Sequence, residues 1–142
     1  MPGTDAVVVG AGPNGLAAAI VLARAGLSVT VLEAAAEVGG GMRTEALTEP
    51  GFLHDVCAAA HPLGAASPFF TTLPLADHGL EWIEPPVALA HPFDDDAPAL
   101  LMRDLAATCR SLGEDGARYR ALVEPLVARW DALAPDALAP LH

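Results

Sequence analysis

Positive charge is scarce in this chain. Only 7 residues are Lys or Arg against 18 Asp or Glu, a formal net charge of −11. Sequence-independent nucleic-acid binding depends on cations that neutralise phosphates, so that class is disfavoured. Docking to anionic lipid through a basic patch is disfavoured for the same reason. The acidic excess reads as a solvated surface that favours solubility. Cysteine is scarce too. Cys57 and Cys109 lie far apart, outside any CxxC pair, so neither a thiolate metal site nor a dithiol redox centre has support. With no secretory signal, a reduced, cytoplasmic setting is expected. The five histidines, His54, His61, His78, His91 and His142, show no ligand spacing. The acidic run Asp94–Asp96 reads as a solvated turn, and no metal is expected.

Ala6 to Ala23 are nearly all apolar or small. No cation precedes that run, Asp5 flanks it, and Gly10, Gly12, Pro13, Asn14 and Gly15 interrupt it. A signal peptide needs a charged start and a membrane span needs continuity, so neither is expected. The run instead reads as a strand followed by a helix.

What the chain does contain is a βαβ pattern at its start. Ala6–Val9 is a short run of three valines after Ala6, the signature of a strand buried on both faces. Asn14–Ala25 are strong helix formers, with Gly26 placed to end the helix. Ser28–Glu33 is a second strand, which completes a strand–helix–strand unit of the expected length. The predicted class is therefore α/β, a Rossmann-like dinucleotide-binding fold. At 142 residues the length alone suggests one domain, large enough to bury roughly 68–70% of its unfolded surface.

Gly10-Ala11-Gly12-Pro13-Asn14-Gly15 is a GxGxxG placed directly after a strand and at the opening of a helix. In that setting Gly10 allows the tight turn, Gly12 lets backbone approach a pyrophosphate, and Gly15 lets helix and strand pack closely. The helix N-terminus, with Pro13 and Asn14 in its first turn, presents N–H groups and a positive dipole end to phosphate. Glu33 stands 18 residues beyond Gly15, where a carboxylate can accept hydrogen bonds from both ribose hydroxyls. The acid would repel a 2′-phosphate, and Ala34, Ala35 and Ala36 offer no cation to welcome one, so NADP is disfavoured. These residues alone leave FAD and NAD both open.

Further along, Val38 precedes Gly39-Gly40-Gly41-Met42-Arg43-Thr44, and then Gly51-Phe52-Leu53-His54-Asp55. The glycine run and its basic residue resemble the second motif of the flavin amine oxidase and phytoene desaturase superfamily. The later segment resembles that superfamily's Gly-x-x-x-Asp element, although Val56-Cys57 follows where x-Gly is usual. The stretch Asp55–Pro62 looks most like the bacterial phytoene-dehydrogenase-like branch. The resemblance implies a glutathione-reductase-type ββα nucleotide domain, FAD as cofactor, and Gly10, Gly12, Pro13, Asn14, Gly15, Glu33, Gly40, Gly41, Arg43 and Thr44 as its ligands. Bare backbone at the glycines and paired bonds from Arg43 to phosphate fit that role. It also implies a small-molecule substrate, apolar or an amine, whose hydride passes to the flavin. No catalytic acid or base can be named from the sequence.

The middle of the chain carries most of its 13 prolines and reads as loop-rich, with Pro50-Gly51 as a turn. The nucleotide domain is expected over residues 1–61, and the opening of an α+β substrate domain over 62–142. In that second part Trp82-Ile83, Val87–Ala90 and Ala99–Met102 read as extended, the latter two forming a hairpin. Asp104 N-caps a helix ended by Gly113, and a second helix starts near Glu114-Asp115. Tyr119, Leu122, Val123, Leu126, Val127 and Trp130 make one apolar face of that helix, with a kink expected at Pro125. The family's members run to several hundred residues and close the flavin site with a C-terminal segment, so the chain, ending at Ala139-Pro140-Leu141-His142, is expected to be an N-terminal part. The alternatives that remain are a truncated, non-catalytic dinucleotide-binding fragment and an NAD-binding module.

Overall fold

The computed structural model describes residues 3–94 and 96–138. They fall into two compact units that divide between Leu73 and Pro74.

The first unit is built on strands β1 (Ala6–Val9) and β2 (Val29–Leu32) with helix α1 (Pro13–Arg24) between them. The strands pair in parallel, Ala6 opposite Val29 and Val9 opposite Leu32. Parallel pairing requires a crossover, and α1 supplies it by covering one face of the pair. Val8 and Val31 lie on that half-buried face. Pro at the first helical position costs α1 nothing, because that N–H has no intrahelical acceptor. At the other end Gly26 adopts φ +87°, and the Leu27 N–H returns to the Leu22 carbonyl at 3.2 Å. Such a left-handed stop satisfies the last carbonyls without a Cβ penalty.

The expectation that β1 is buried on both faces is corrected. Val7, Val9 and Leu32 point away from α1, and Val9 is 82% exposed. Two strands and one helix supply two layers, and no described element packs on the opposite face of the pair.

After β2 a 3₁₀ turn at Gly40–Met42 leads into β3 (Thr44–Glu45), which pairs antiparallel with β4 (His54–Asp55). A short helix, α2 (Pro62–Ala65), and a 3₁₀ turn at Phe70–Thr72 complete the unit.

The second unit opens with a 3₁₀ turn at Leu75–His78 and carries the hairpin β5 (Leu89–His91) and β6 (Ala99–Leu101). Trp82-Ile83 belongs to no strand. Asp95, the middle residue of the acidic run, lies outside the described residues, as do Ala139–His142. Helix α3 (Leu105–Ser111) starts where expected, with the Asp104 carboxylate accepting from the N–H groups of Ala106 and Ala107. This helix seals the free edge of β6. The Thr108 and Ser111 hydroxyls accept from the N–H groups of Met102 and Leu100 and donate to the carbonyls of the same residues. Thr108 is accordingly 2% exposed, a buried polar group with its hydrogen bonds met.

Helices α4 (Gly116–Ala128) and α5 (Trp130–Leu138) follow. Gly116 presses on α3 so closely that a Cβ there would collide with the Cys109 carbonyl. Pro125, where a kink is expected, lies inside α4, which runs on to Ala128. Proline removes the bond its own N–H would make and crowds the carbonyl of the preceding turn, yet three further residues complete the helix. The apolar face of α4 is also more open than its periodicity implies. Tyr119 and Val123 are half-buried, while Leu122, Leu126 and Val127 are exposed; Trp130, expected on the same helix, instead starts α5 and is exposed too. Among the described residues no helix is long and apolar enough to cross a membrane.

Candidate functional site

The two glycine segments singled out in the sequence meet. Gly12 begins α1 with ordinary extended backbone, φ −75° and ψ 177°. Gly40 faces it at φ +57°, and a Cβ on Gly40 would stand 3.0 Å from the Gly12 Cα. Left-handed backbone and a contact this tight both require glycine there. The Gly39 N–H bonds the Ala11 carbonyl at 2.9 Å, which ties the two turns together. The result is a backbone cradle with almost no side chain. On one wall, the N–H groups of Gly12, Asn14 and Gly15 have no partner among the described residues. α1 has no side-chain N-cap, so its positive dipole end is open as well.

Gly15 serves packing, as its place in the motif implies. A Cβ there would strike the Gly10 carbonyl oxygen, with the Val8 side chain 3.6 Å away. Gly10 itself turns at φ +96°, its N–H bonded to the Leu32 carbonyl at 2.7 Å.

Glu33 follows β2 and turns its carboxylate back into the first loop. Oε2 accepts from the Ala11 N–H at 2.7 Å and Oε1 from the Ala35 N–H at 2.9 Å. Each oxygen keeps a second lone pair for a further donor such as a ribose hydroxyl. The Ala35 and Ala11 N–H groups hold this carboxyl below its ordinary value of 4.5, helped by the Ala34 N–H and the positive charge of Arg43, with burial opposing. A carboxyl whose folded pKa is depressed adds stability above its unfolded pKa, and that stability is lost as pH falls through the folded value. The melting temperature should therefore drop as pH is lowered below 4.5, and Glu33→Gln should remove part of that drop. Identical acid profiles for the two proteins would contradict these bonds.

Arg43 lies under the second turn, its Cγ 3.4 Å from where a Cβ of Gly39 would sit. Its Nε is buried with no hydrogen-bond partner, the nearest carboxylate oxygen being Glu45 Oε1 at 3.6 Å. An orphaned buried guanidinium N–H beside a cradle of bare backbone fits an anionic ligand such as a phosphate pair. Gly41 packs on Cys57, whose Sγ would be 3.6 Å from a Cβ at that position.

Other residues are drawn elsewhere. The Thr44 hydroxyl donates to Asp55 Oδ1 at 2.9 Å across β3 and β4. The Asn14 side chain is exposed. His54 Nε2 pairs with the Thr48 hydroxyl at 2.7 Å, a turn role. Both cysteines are free. Among the described residues no group of three or more His, Cys, Asp or Glu side chains is placed to hold a metal. Sequence reasoning passed over Ala11, which is 1% exposed and bonded to both Glu33 and Gly39. As the x of the motif it carried no signal, because it acts only through its backbone.

Residues 8–73 match the family model described as NAD(P)-binding Rossmann-like domain. Over 120 residues the chain is 34% identical to a component of the limonene dehydrogenase of Castellaniella defragrans, a match that covers 82% of the chain and 22% of that protein. It is 33% identical over 145 residues to the hydroxyneurosporene desaturase of Rhodobacter capsulatus, covering 96% of the chain and 28% of that protein. A stretch of 48 residues is 58% identical to an L-amino-acid oxidase of Echis ocellatus, covering 34% of the chain and 10% of that protein. The chain thus spans only 22% of the length of the limonene dehydrogenase component and 28% of that of the hydroxyneurosporene desaturase.

Proposed function

We propose that this chain is part of an oxidoreductase of the amine oxidase and desaturase superfamily, and that residues 5–44 hold the ADP half of FAD. The observation that carries this reading is the cradle of Gly12 against Gly40, with the Arg43 Nε orphaned beside it. In this role the Gly12, Asn14 and Gly15 N–H groups and the start of α1 hold the pyrophosphate. Gly40 and Gly41 let it lie close, and Arg43 neutralises it. Thr44 flanks it on the same segment, and Pro13 pre-sets the first turn of α1. Glu33 receives the adenosine ribose on its free lone pairs and turns away a 2′-phosphate by charge.

The parent activity we propose is that of an oxidoreductase. When bound, FAD supplies the chemistry by accepting hydride from a substrate C–H bond, while the protein binds, orients and excludes water. Limonene dehydrogenase, hydroxyneurosporene desaturase and L-amino-acid oxidase among the relatives support an apolar or amine small molecule as substrate. The second unit would open the substrate-binding domain. A second reading follows from the coverage of 22% and 28%: the chain alone holds an ADP moiety without catalysing a reaction.

Thermal melting with FAD, ADP, NAD and NADP tests the assignment. A ligand that binds only the folded state raises the melting temperature with its concentration. FAD and ADP should raise it and NADP should not. A rise with NAD and none with FAD would overturn the choice of cofactor. No rise with any of the four would overturn binding by this chain.

A further inference from the structure

We infer that Glu33 is a positioning residue for the phosphate-cradling loop, in addition to the ribose role that rests on the reading above. The Ala11 N–H and the Gly10 carbonyl are two ends of one planar peptide. Glu33 Oε2 grips the N–H end at 2.7 Å. A trans peptide then directs the Gly10 carbonyl the opposite way, and that oxygen lies over the Cα of Gly15, where a Cβ would collide with it. The next peptide is held as well: the Ala11 carbonyl accepts from Gly39, so the Gly12 N–H is directed to the other side. Two consecutive peptide planes are thereby fixed before any ligand arrives, the first by the acid at the end of β2. The second grip comes from the turn that carries Gly40. The Ala11 N–H is committed to Glu33, which leaves the Gly12 N–H as the loop's own donor to phosphate.

A purely ribose-binding acid and a loop-positioning acid differ in what they do to a ligand without ribose hydroxyls. The experiment measures binding of ADP, and of ADP lacking both ribose hydroxyls, to the full chain and to Glu33→Gln. The glutamine turns an amide N–H toward one of the two backbone N–H groups, so it cannot hold both. Loop positioning predicts that the hydroxyl-free analogue binds the variant about tenfold or more weakly, the loss expected when a charge-assisted bond to phosphate is misplaced. A ribose-only role predicts that its affinity is unchanged, or rises because a negative charge has gone, and either result would overturn the inference. Amide hydrogen exchange in the ligand-free chain keeps the question decidable if Glu33→Gln unfolds or no nucleotide binds. The Ala11 amide should be protected at neutral pH and lose protection as pH falls through the range where Glu33 takes up its proton. An Ala11 amide that exchanges freely at neutral pH overturns the inference. Failure of both nucleotides to bind the unaltered chain overturns the cofactor reading instead, and leaves the amide result to decide the loop.

Discussion

Gly12→Asp should abolish flavin retention while the chain stays folded. Gly12 has φ −75°, available to any residue, and a Cβ there meets nothing nearer than the Gly40 Cα at 3.8 Å. The folded chain therefore has room for a side chain. A carboxylate at this position even suits the helix, because aspartate is a favoured N-cap and lies at the positive end of α1. Stability should change by less than about 1 kcal/mol. The same carboxylate stands at the mouth of the cradle, where a pyrophosphate would bring two further negative charges. FAD affinity should fall by about a hundredfold or more, roughly 2.8 kcal/mol at 1.4 kcal/mol per decade. Titration with FAD, alongside the melting curve of each protein, checks both halves. Wild-type affinity in a folded variant would sink the phosphate assignment.

Gly15→Ala should act the other way round, on the fold first. The added methyl group would occupy the space of the Gly10 carbonyl oxygen. Neither atom sits on a flexible side chain, so β1 and α1 must separate, and the Val8 contact 3.6 Å away is loosened with them. Overpacking of this kind costs about 3 kcal/mol at the upper end of its usual range. Denaturant unfolding measures it directly. Unchanged stability would mean that α1 does not rest on the first loop as described. One methyl at position 15 should thus destabilise more than a larger, charged side chain at position 12, an ordering that hydrophobicity scales do not give.

These two glycines show how much of the site could be read from the chain itself. The GxGxxG after a valine run fixes which glycine packs and which stays open, because strand and helix leave one geometry for the turn between them. Glu33 was legible by its distance from that motif. Its grip on Ala11 was not, since a backbone N–H has the same chemistry in every residue type. Gly39–Arg43 was legible as a bare, basic segment, but its approach to Gly12 depends on the path of the chain between Glu33 and Gly39. The pairing of β3 with β4 was out of reach for another reason: each strand has two residues, too few to show an alternation. Burial was the least legible property. The pattern of β1 implies covered faces, yet Val7 and Val9 are exposed, because covering requires an element that no local pattern can specify. The same holds for Leu122, Leu126 and Val127 on α4, where periodicity marks an apolar face without naming what packs on it.

The central claim is that Gly12 and Gly40 form the two sides of one phosphate-binding cradle. Amide resonances of the isotope-labelled chain, followed during titration with FAD, test it most directly. Saturable shifts should concentrate at Gly12, Asn14, Gly15, Gly40 and Gly41, with the Ala11 amide held by Glu33 throughout and the second unit little changed. Shifts confined to the second unit, or to the GxGxxG loop with Gly40 and Gly41 silent, would contradict it.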